Sequence, residues 1–100
     1  MKIRIKFRKY GTMKFIGHLD VMRYFQKAIR RAEVNIRYSE GFSPHQIMSF
    51  AAPLGVGITS KGEYVDIEVL DTENSKKMVD RLNAVMSEGF EILEYKLLPD

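Results

Sequence analysis

Hydrophobic and charged residues alternate without interruption over residues 2–9 of the chain, which read KIRIKFRK. Ile3, Ile5 and Phe7 fall on one side of an extended backbone, and the lysines and arginines between them fall on the other. Because successive side chains of a strand point to opposite faces, this period of two predicts a strand with one buried face.

The period becomes helical over residues 18–32. Hydrophobic positions three or four apart form a stripe that we expect to face the core: Leu19, Val21, Met22, Phe25, Ala28, Ile29 and Ala32. The opposite side carries four cations, Arg23, Lys27, Arg30 and Arg31, and no acid lies between Arg23 and Arg31. Since residues three or four apart are neighbours on a helix surface, these four charges should lie together on its outer face. We call them the basic stripe.

The rest of the chain contains further extended and helical patterns. We predict strands at 34–38, 63–70 and 90–98, a helix at 74–87, loops at 39–45 and 51–62, and a segment at 46–50 that also fits an extended backbone. The order strand, helix, strand, strand, helix, strand is that of a ferredoxin-like βαββαβ sandwich, an α+β fold. Its two helices cover one face of a four-stranded antiparallel sheet, and its first strand lies between the third and the fourth. We therefore predict a single domain over residues 1–100.

Composition narrows the classes of protein to which the chain can belong. It has 100 residues, of which 45% are hydrophobic and 29% charged, as in one soluble globular domain. It has no cysteine, which excludes disulfides, thiolate zinc sites and cysteine-bound iron–sulfur clusters in this chain. Its apolar runs are too short to span a membrane, and charges occupy the N-terminal stretch where a signal peptide is apolar. We expect a cytoplasmic protein that does not contact a membrane.

The net charge of +3 hides an asymmetry between the two halves of the chain. Residues 1–45 contain eleven lysines and arginines against three acids, whereas residues 46–100 contain five against ten. A basic half suggests an anionic partner, and nucleic acid is the commonest. The alternative is that the two halves neutralise each other within one fold.

The charged row of the first strand could bind nucleic acid, or it could pair with acids of the same chain. Its members are Lys2, Arg4, Lys6 and Arg8. They would face Asp66, Glu68 and Glu94 on the neighbouring strands if Val65, Ile67, Leu93 and Tyr95 point into the core. We favour this charge ladder over an RNA platform. The basic stripe is then the better candidate for RNA or partner binding, together with Arg37 and with Tyr24 and Tyr38 as stacking surfaces.

Two loops carry further candidate residues. The first runs from Ser39 through Gly41, Phe42, Ser43 and Pro44 to His45, and functional residues concentrate in such polar loops. In the second, Gly55, Gly57, Ser60 and Lys61 could bind a phosphate through backbone N–H groups, although a simple strand connection explains the glycines equally well. The polar start of the first helix adds His18 and Asp20. His18, His45 and Asp20 are candidates for acid–base catalysis at one joint site, or for turn and helix-end chemistry only. Their spacing matches no metal site.

The motifs from Phe15 to Tyr64 resemble a family of radical-SAM-linked proteins that is catalogued as a domain of unknown function. The resemblance is carried by the segment Phe15–Asp20, the pair Arg30–Arg31, the turn Gly41–His45, and the residues Pro53, Leu54, Gly57, Ser60, Glu63 and Tyr64. The resemblance implies that the domain works with a radical SAM protein. That partner would carry S-adenosylmethionine and the iron–sulfur cluster, and this chain would need no cofactor of its own. Family chains usually continue further, so residues 1–100 would be the N-terminal part of a longer chain or a short member.

These observations leave three functions open. The first is an accessory domain that faces RNA and works with a radical SAM protein in RNA modification or processing. The second is a protein-interaction module that docks the radical SAM partner without touching RNA. The third and weakest is a metal-independent endoribonuclease, which a distant fold-level likeness to CRISPR repeat-processing endoribonucleases suggests. We lean towards a chain that is not itself an enzyme.

Overall fold

A computed structural model describes residues 1–50 and 62–99 of the chain. The elements follow in the order β1 (Lys2–Lys9), a 3-10 turn (Gly11–Phe15), α1 (His18–Arg31), β2 (Met48–Phe50), β3 (Glu63–Glu68), α2 (Ser75–Val85) and β4 (Phe90–Leu97). The candidate phosphate loop with Gly55, Gly57, Ser60 and Lys61 lies outside the described residues.

The four strands form one antiparallel sheet in the order β2-β3-β1-β4. Strand β1 is central, with Ile5 opposite Val65 of β3 on one side and opposite Tyr95 of β4 on the other. The helices pack together on one face of this sheet. The α+β ferredoxin-like fold predicted from the sequence is therefore confirmed.

The core lies between the sheet and the two helices. Its fully buried side chains come from every main element: Ile3, Ile5 and Phe7 of β1, Phe25 and Ile29 of α1, Val65 of β3, and Met78 and Leu82 of α2. The rings of Phe7 and Phe25 lie 4.6 Å apart between centroids, so β1 and α1 are joined at the centre of the domain. Aromatic contacts of this kind add to the free energy gained by burying the apolar surface.

The buried face of α1 differs from the prediction at its first turn. Leu19 is 63% exposed and Met22 is only partly buried, whereas Val21, Phe25, Ala28, Ile29 and Ala32 are buried. The helix therefore packs along a line that starts at Val21. The first turn lies beyond this line, which is why a hydrophobic residue there reaches solvent.

The second strand is not where the alternation at residues 34–38 predicted it. Those residues form only isolated bridges, Ile36 to Val69 and Tyr38 to Gln46, and the paired strand β2 is Met48–Phe50. The alternation reflects the burial of Val34 and Ile36 rather than a continuous ladder. Two short segments thus share the outer edge of β3, and residues 38–46 project between them as a hairpin.

Strand β4 contains a bulge that the sequence did not indicate. The register against β1 shifts between Lys6 and Phe7, so that Lys6 is opposite Glu94 whereas Phe7 is opposite Ile92. As a result Ile92 and Tyr95 are buried, and Leu93, predicted to point inwards, is only partly buried. A bulge inserts one unpaired residue and therefore changes which side chains face the core.

Both helices have identifiable end structures. Asn74 caps α2 by accepting a hydrogen bond from the N–H of Lys77 at 2.9 Å. After α1, the N–H of Glu33 donates to the carbonyl of Arg30 and the N–H of Val34 to that of Ile29, which is the Schellman arrangement. Glu33 occupies its left-handed position with φ of 57°, where glycine is usual.

The substitution Glu33→Gly should therefore stabilise the domain. Glycine has no Cβ to clash in the left-handed region, so the free energy of unfolding should rise by about 0.5–1 kcal/mol, measured by urea denaturation. Glu33→Ala is the matched control, since it removes the same carboxylate but keeps the Cβ. Equal stabilisation by both variants would show that charge, not backbone conformation, limits stability at this position.

Candidate functional site

The basic stripe lies on the solvent side of α1, as predicted. Arg23, Lys27, Arg30 and Arg31 are all exposed, because the opposite side of the helix supplies Phe25 and its neighbours to the core. Within residues 1–50 and 62–99, none of the four has a carboxylate within 4.0 Å. The helix therefore presents four cations whose charge is not neutralised locally.

Five other cations among the described residues do have carboxylate partners. The ion pairs among the described residues are Arg4–Asp66, Arg8–Glu91, Lys9–Glu63, Arg37–Glu68 and Arg81–Glu73. Arg37, a predicted binding residue, lies 3.5 Å from the Glu68 carboxylate and so belongs to the ion pairs of the sheet. Lysines on other elements are also in no ion pair of the described residues, so the basic stripe is distinguished by having four unpaired cations on one helix face.

The outer face of the sheet carries the predicted charge ladder in part. Arg4 binds the Asp66 carboxylate through two hydrogen bonds of 2.9 and 3.0 Å, and Asp66 raises the pKa of the Arg4 guanidinium through this bonding and its charge. Arg8 pairs with Glu91, a partner that the sequence analysis did not name. Lys6 is opposite Glu94, as predicted. Acids interleaved with cations weaken the field that a phosphate would meet on this face.

The hairpin formed by residues 38–46 is held closed at its base. The N–H of Ser39 donates to the carbonyl of His45 at 2.8 Å, and the N–H of His45 donates to Ser39 Oγ at 3.1 Å. The same hydroxyl lies 3.1 Å from His45 Nδ1. Gly41, with φ of 114°, allows the chain to reverse. We call residues 39–45 the tied loop; Phe42 at its tip is fully exposed.

A small open pocket of about 200 Å³ separates the tied loop from α1. It is lined by Gln26 and Arg30 of the helix and by Tyr38, Pro44, His45 and Gln46 of the hairpin. Gln46 is 6% exposed, and its Nε2 donates to the carbonyl of Gln26 at 3.1 Å. This bond joins the hairpin to the middle of α1, so that Arg30 belongs both to the basic stripe and to the pocket.

The two predicted stacking surfaces have different surroundings. The ring of Tyr24 is stacked on Phe90 with centroids 4.3 Å apart, and its hydroxyl accepts a hydrogen bond from the N–H of Ser87. Tyr24 therefore packs between α1 and the start of β4 and is not a free platform. The ring of Tyr38 is 47% exposed beside the pocket.

The fold does not bring the two histidine positions to one site. His18 begins α1, whereas the pocket beside His45 is reached at Gln26 and Arg30 of the same helix. At 1.5 Å per residue these positions lie about 12–18 Å along the axis from His18. These backbone positions do not support one joint site built from His18, Asp20 and His45, and a catalytic role for these residues stays a prediction. Over the described ranges, moreover, histidines and acids form no group of three that could hold a metal ion.

Comparison with known proteins identifies a family. Residues 2–100 match the family described as uncharacterized protein conserved in bacteria (DUF2344). The chain belongs to the DUF2344 family. No curated protein and no solved structure matches it significantly. In the described part of this DUF2344 chain, no helix combines the length and apolar character needed to cross a membrane.

Sequence reasoning missed the residue that attaches the hairpin of this DUF2344 chain to α1. Gln46 is the buried polar side chain of the described core. A signal was available, because positions 46, 48 and 50 share one face of an extended segment and the other two are Met48 and Phe50. A glutamine in a hydrophobic row needs a hydrogen-bond partner when it is buried, and that partner is the carbonyl of Gln26.

The substitution Ser39→Ala should loosen the tied loop without unfolding the domain. It removes the side-chain acceptor of the His45 N–H, and a single hydrogen bond of this kind contributes about 0.5–1.5 kcal/mol. Amide hydrogen exchange at His45 should therefore accelerate by about two- to tenfold. Ser43→Ala is the control, since within the described residues its hydroxyl makes no hydrogen bond. Unchanged exchange at His45 would show that the backbone alone holds the loop closed.

Proposed function

We propose that this DUF2344 chain is an accessory domain that faces RNA and works with a radical SAM protein in modifying or processing that RNA. The observation that carries the proposal is the basic stripe, four exposed cations on one helix face without a carboxylate partner among the described residues. A phosphate backbone is the ligand that such a surface suits best, because each cation displaces a condensed counterion from it.

The arrangement of the stripe supports a ligand outside the domain. Its members lie at i, i+4, i+7 and i+8, so that like charges are neighbours on the helix and destabilise it slightly. By contrast, Arg4, Arg8 and Arg37 each form an ion pair with one carboxylate. The part of α1 from Arg23 to Arg31 contains no acid, whereas the outer face of the sheet has acids among its cations.

The composition of the chain supports a division of labour with a partner. A radical SAM cluster needs thiolate ligands, and the chain has no cysteine. In the proposed arrangement the partner holds the cluster and S-adenosylmethionine and performs the chemistry, and this domain binds the RNA. The partner itself is proposed from the resemblance of residues 15–64 to radical-SAM-linked proteins. The separation of His18 from His45 gives no support to the endoribonuclease alternative.

The combined substitution Arg23→Gln, Lys27→Gln and Arg30→Gln tests the role of the stripe. We expect weaker binding to a fluorescein-labelled RNA hairpin with a single-stranded tail, measured by anisotropy over a series of KCl concentrations. The slope of log Kd against log salt should fall by about two to three, because three phosphate contacts are lost. Thermal unfolding should be unchanged or slightly improved, since glutamine is a good helix former and the repulsion is removed.

The control variant changes Lys76, Lys77 and Lys96 to glutamine. All three lysines are exposed, and none is in an ion pair within the described residues, so the change in net charge is the same. Equal loss of binding in the two variants would mean that RNA responds to overall charge and not to the stripe. If neither parent nor variant binds RNA and the stripe substitutions instead abolish binding to the radical SAM protein, the domain is a docking module.

A further inference from the structure

We infer that the tied loop and the pocket beside it bind unstacked bases of a single-stranded RNA segment, with the rings of Phe42 and Tyr38 as stacking surfaces. This inference rests on the proposed function and specifies its ligand: the basic stripe would hold the phosphates, and the hairpin would hold the bases.

Two aromatic rings on the hairpin are exposed to solvent. Four aromatic side chains of the described residues are largely exposed: Phe15, Tyr38, Phe42 and Tyr64. Phe15 and Tyr64 have cations over their rings, from Lys14 at 5.2 Å and Arg4 at 5.9 Å. Tyr38 and Phe42 have no ring or cation partner among the residues described. These two flat faces are therefore available to a planar ligand.

Hydrogen bonds hold the tied loop at its base. Ser39 and His45 exchange backbone and side-chain hydrogen bonds at its base, and Gln46 fixes the hairpin to α1. An exposed aromatic on a loop held in this way loses little conformational freedom on binding.

Arg30 connects the basic stripe to the pocket. It is a member of the basic stripe and it also lines the pocket with Tyr38 and His45. A single-stranded RNA whose phosphates lie along the basic stripe would therefore have its bases within reach of the hairpin. Groups that bind the backbone next to groups that stack on bases are the usual design of proteins that bind single-stranded nucleic acid.

The surroundings of Phe42 favour a base over a protein surface. Its exposed sequence neighbours are Glu40, Gly41, Ser43 and Pro44, of which only Pro44 has an apolar side chain. A protein partner that used Phe42 as an anchor would need a contiguous apolar rim to exclude water. A nucleobase needs only a ring face, and a duplex does not offer one because its bases are already stacked.

Because the chain contains no tryptophan, the fluorescence of one introduced indole can report stacking on a base. The variant Phe42→Trp would contain a single indole at the tip of the tied loop, and stacking on a base should quench its fluorescence. We expect quenching on titration with single-stranded oligo(A) RNA and little or none with a blunt RNA duplex. The variant Phe15→Trp is the control, since it places an indole at another exposed aromatic position.

Alanine and leucine variants then separate stacking from charge and from apolar contact. Phe42→Ala and Tyr38→Ala should each weaken binding of oligo(A) by at least about fivefold without changing the salt slope. Phe42→Tyr should bind like the parent, and Phe42→Leu should bind like Phe42→Ala, because leucine is apolar but has no ring face. Phe15→Ala should leave the affinity unchanged.

The possible failures are distinguishable. If RNA binds with a salt slope that depends on the stripe, but Phe42→Ala and Tyr38→Ala bind as tightly as the parent, the base site is overturned and the RNA-facing function stands. If no RNA binds to the parent, both proposals fail. If Phe42→Ala abolishes binding to the radical SAM protein while oligo(A) binding is unchanged, the tied loop is a protein contact and the inference is wrong.

Discussion

Strand β1 is hydrogen-bonded on both sides, and its strict alternation determines what its neighbours must carry. Its inner residues, Ile3, Ile5 and Phe7, are almost completely buried and provide the floor on which both helices pack. Its outer residues are all basic, so the strands beside it must supply acids if the sheet is not to repel itself. The opposite charges of the two halves of the chain are thus partly a consequence of one strand.

The same burial requirement separates two kinds of cation. Those of the sheet lie opposite β3 and β4, where acids such as Asp66 and Glu91 reach them. Those of α1 have no strand opposite, because the helix gives its inner face to Phe7 and the rest of the core. The ion pairs of the sheet and the unpaired cations of the helix are therefore two results of a single packing arrangement.

Local patterns predicted what depends on local structure. The alternation of β1, the span of α1 and the Asn74 cap follow from periods and from side-chain chemistry within a few residues. The wrong predictions concern strand residues whose pairing partners lie far away in the sequence. Leu93 was assigned inwards because nothing in the sequence marks the bulge opposite Lys6 and Phe7, and residues 34–38 were assigned to a strand because burial of Val34 and Ile36 imitates one.

The candidate site was likewise predictable only where it depends on local structure. The basic stripe was predictable because one helix contains all of it. The pocket was not, since it depends on the hydrogen bond from Gln46 to the carbonyl of Gln26, across twenty residues. The two histidines were grouped by chemistry, and the fold separated them because one starts α1 and the other closes a hairpin beside its second half.

The end of α1 ties the stripe and the hairpin into one rigid arrangement. Arg81 of α2 donates to the carbonyls of Ala32 and Glu33, where the helix has no backbone donors of its own to offer them. A cation at this end also interacts favourably with the helix dipole. Two residues later the chain enters the segment that bridges β3 through Ile36 and then forms the hairpin. Gln46 attaches the hairpin to the middle of α1, and Arg81 binds the end of α1 from which the chain leads to the hairpin. This geometry explains how Arg30 can belong to the helix surface and to the pocket at once.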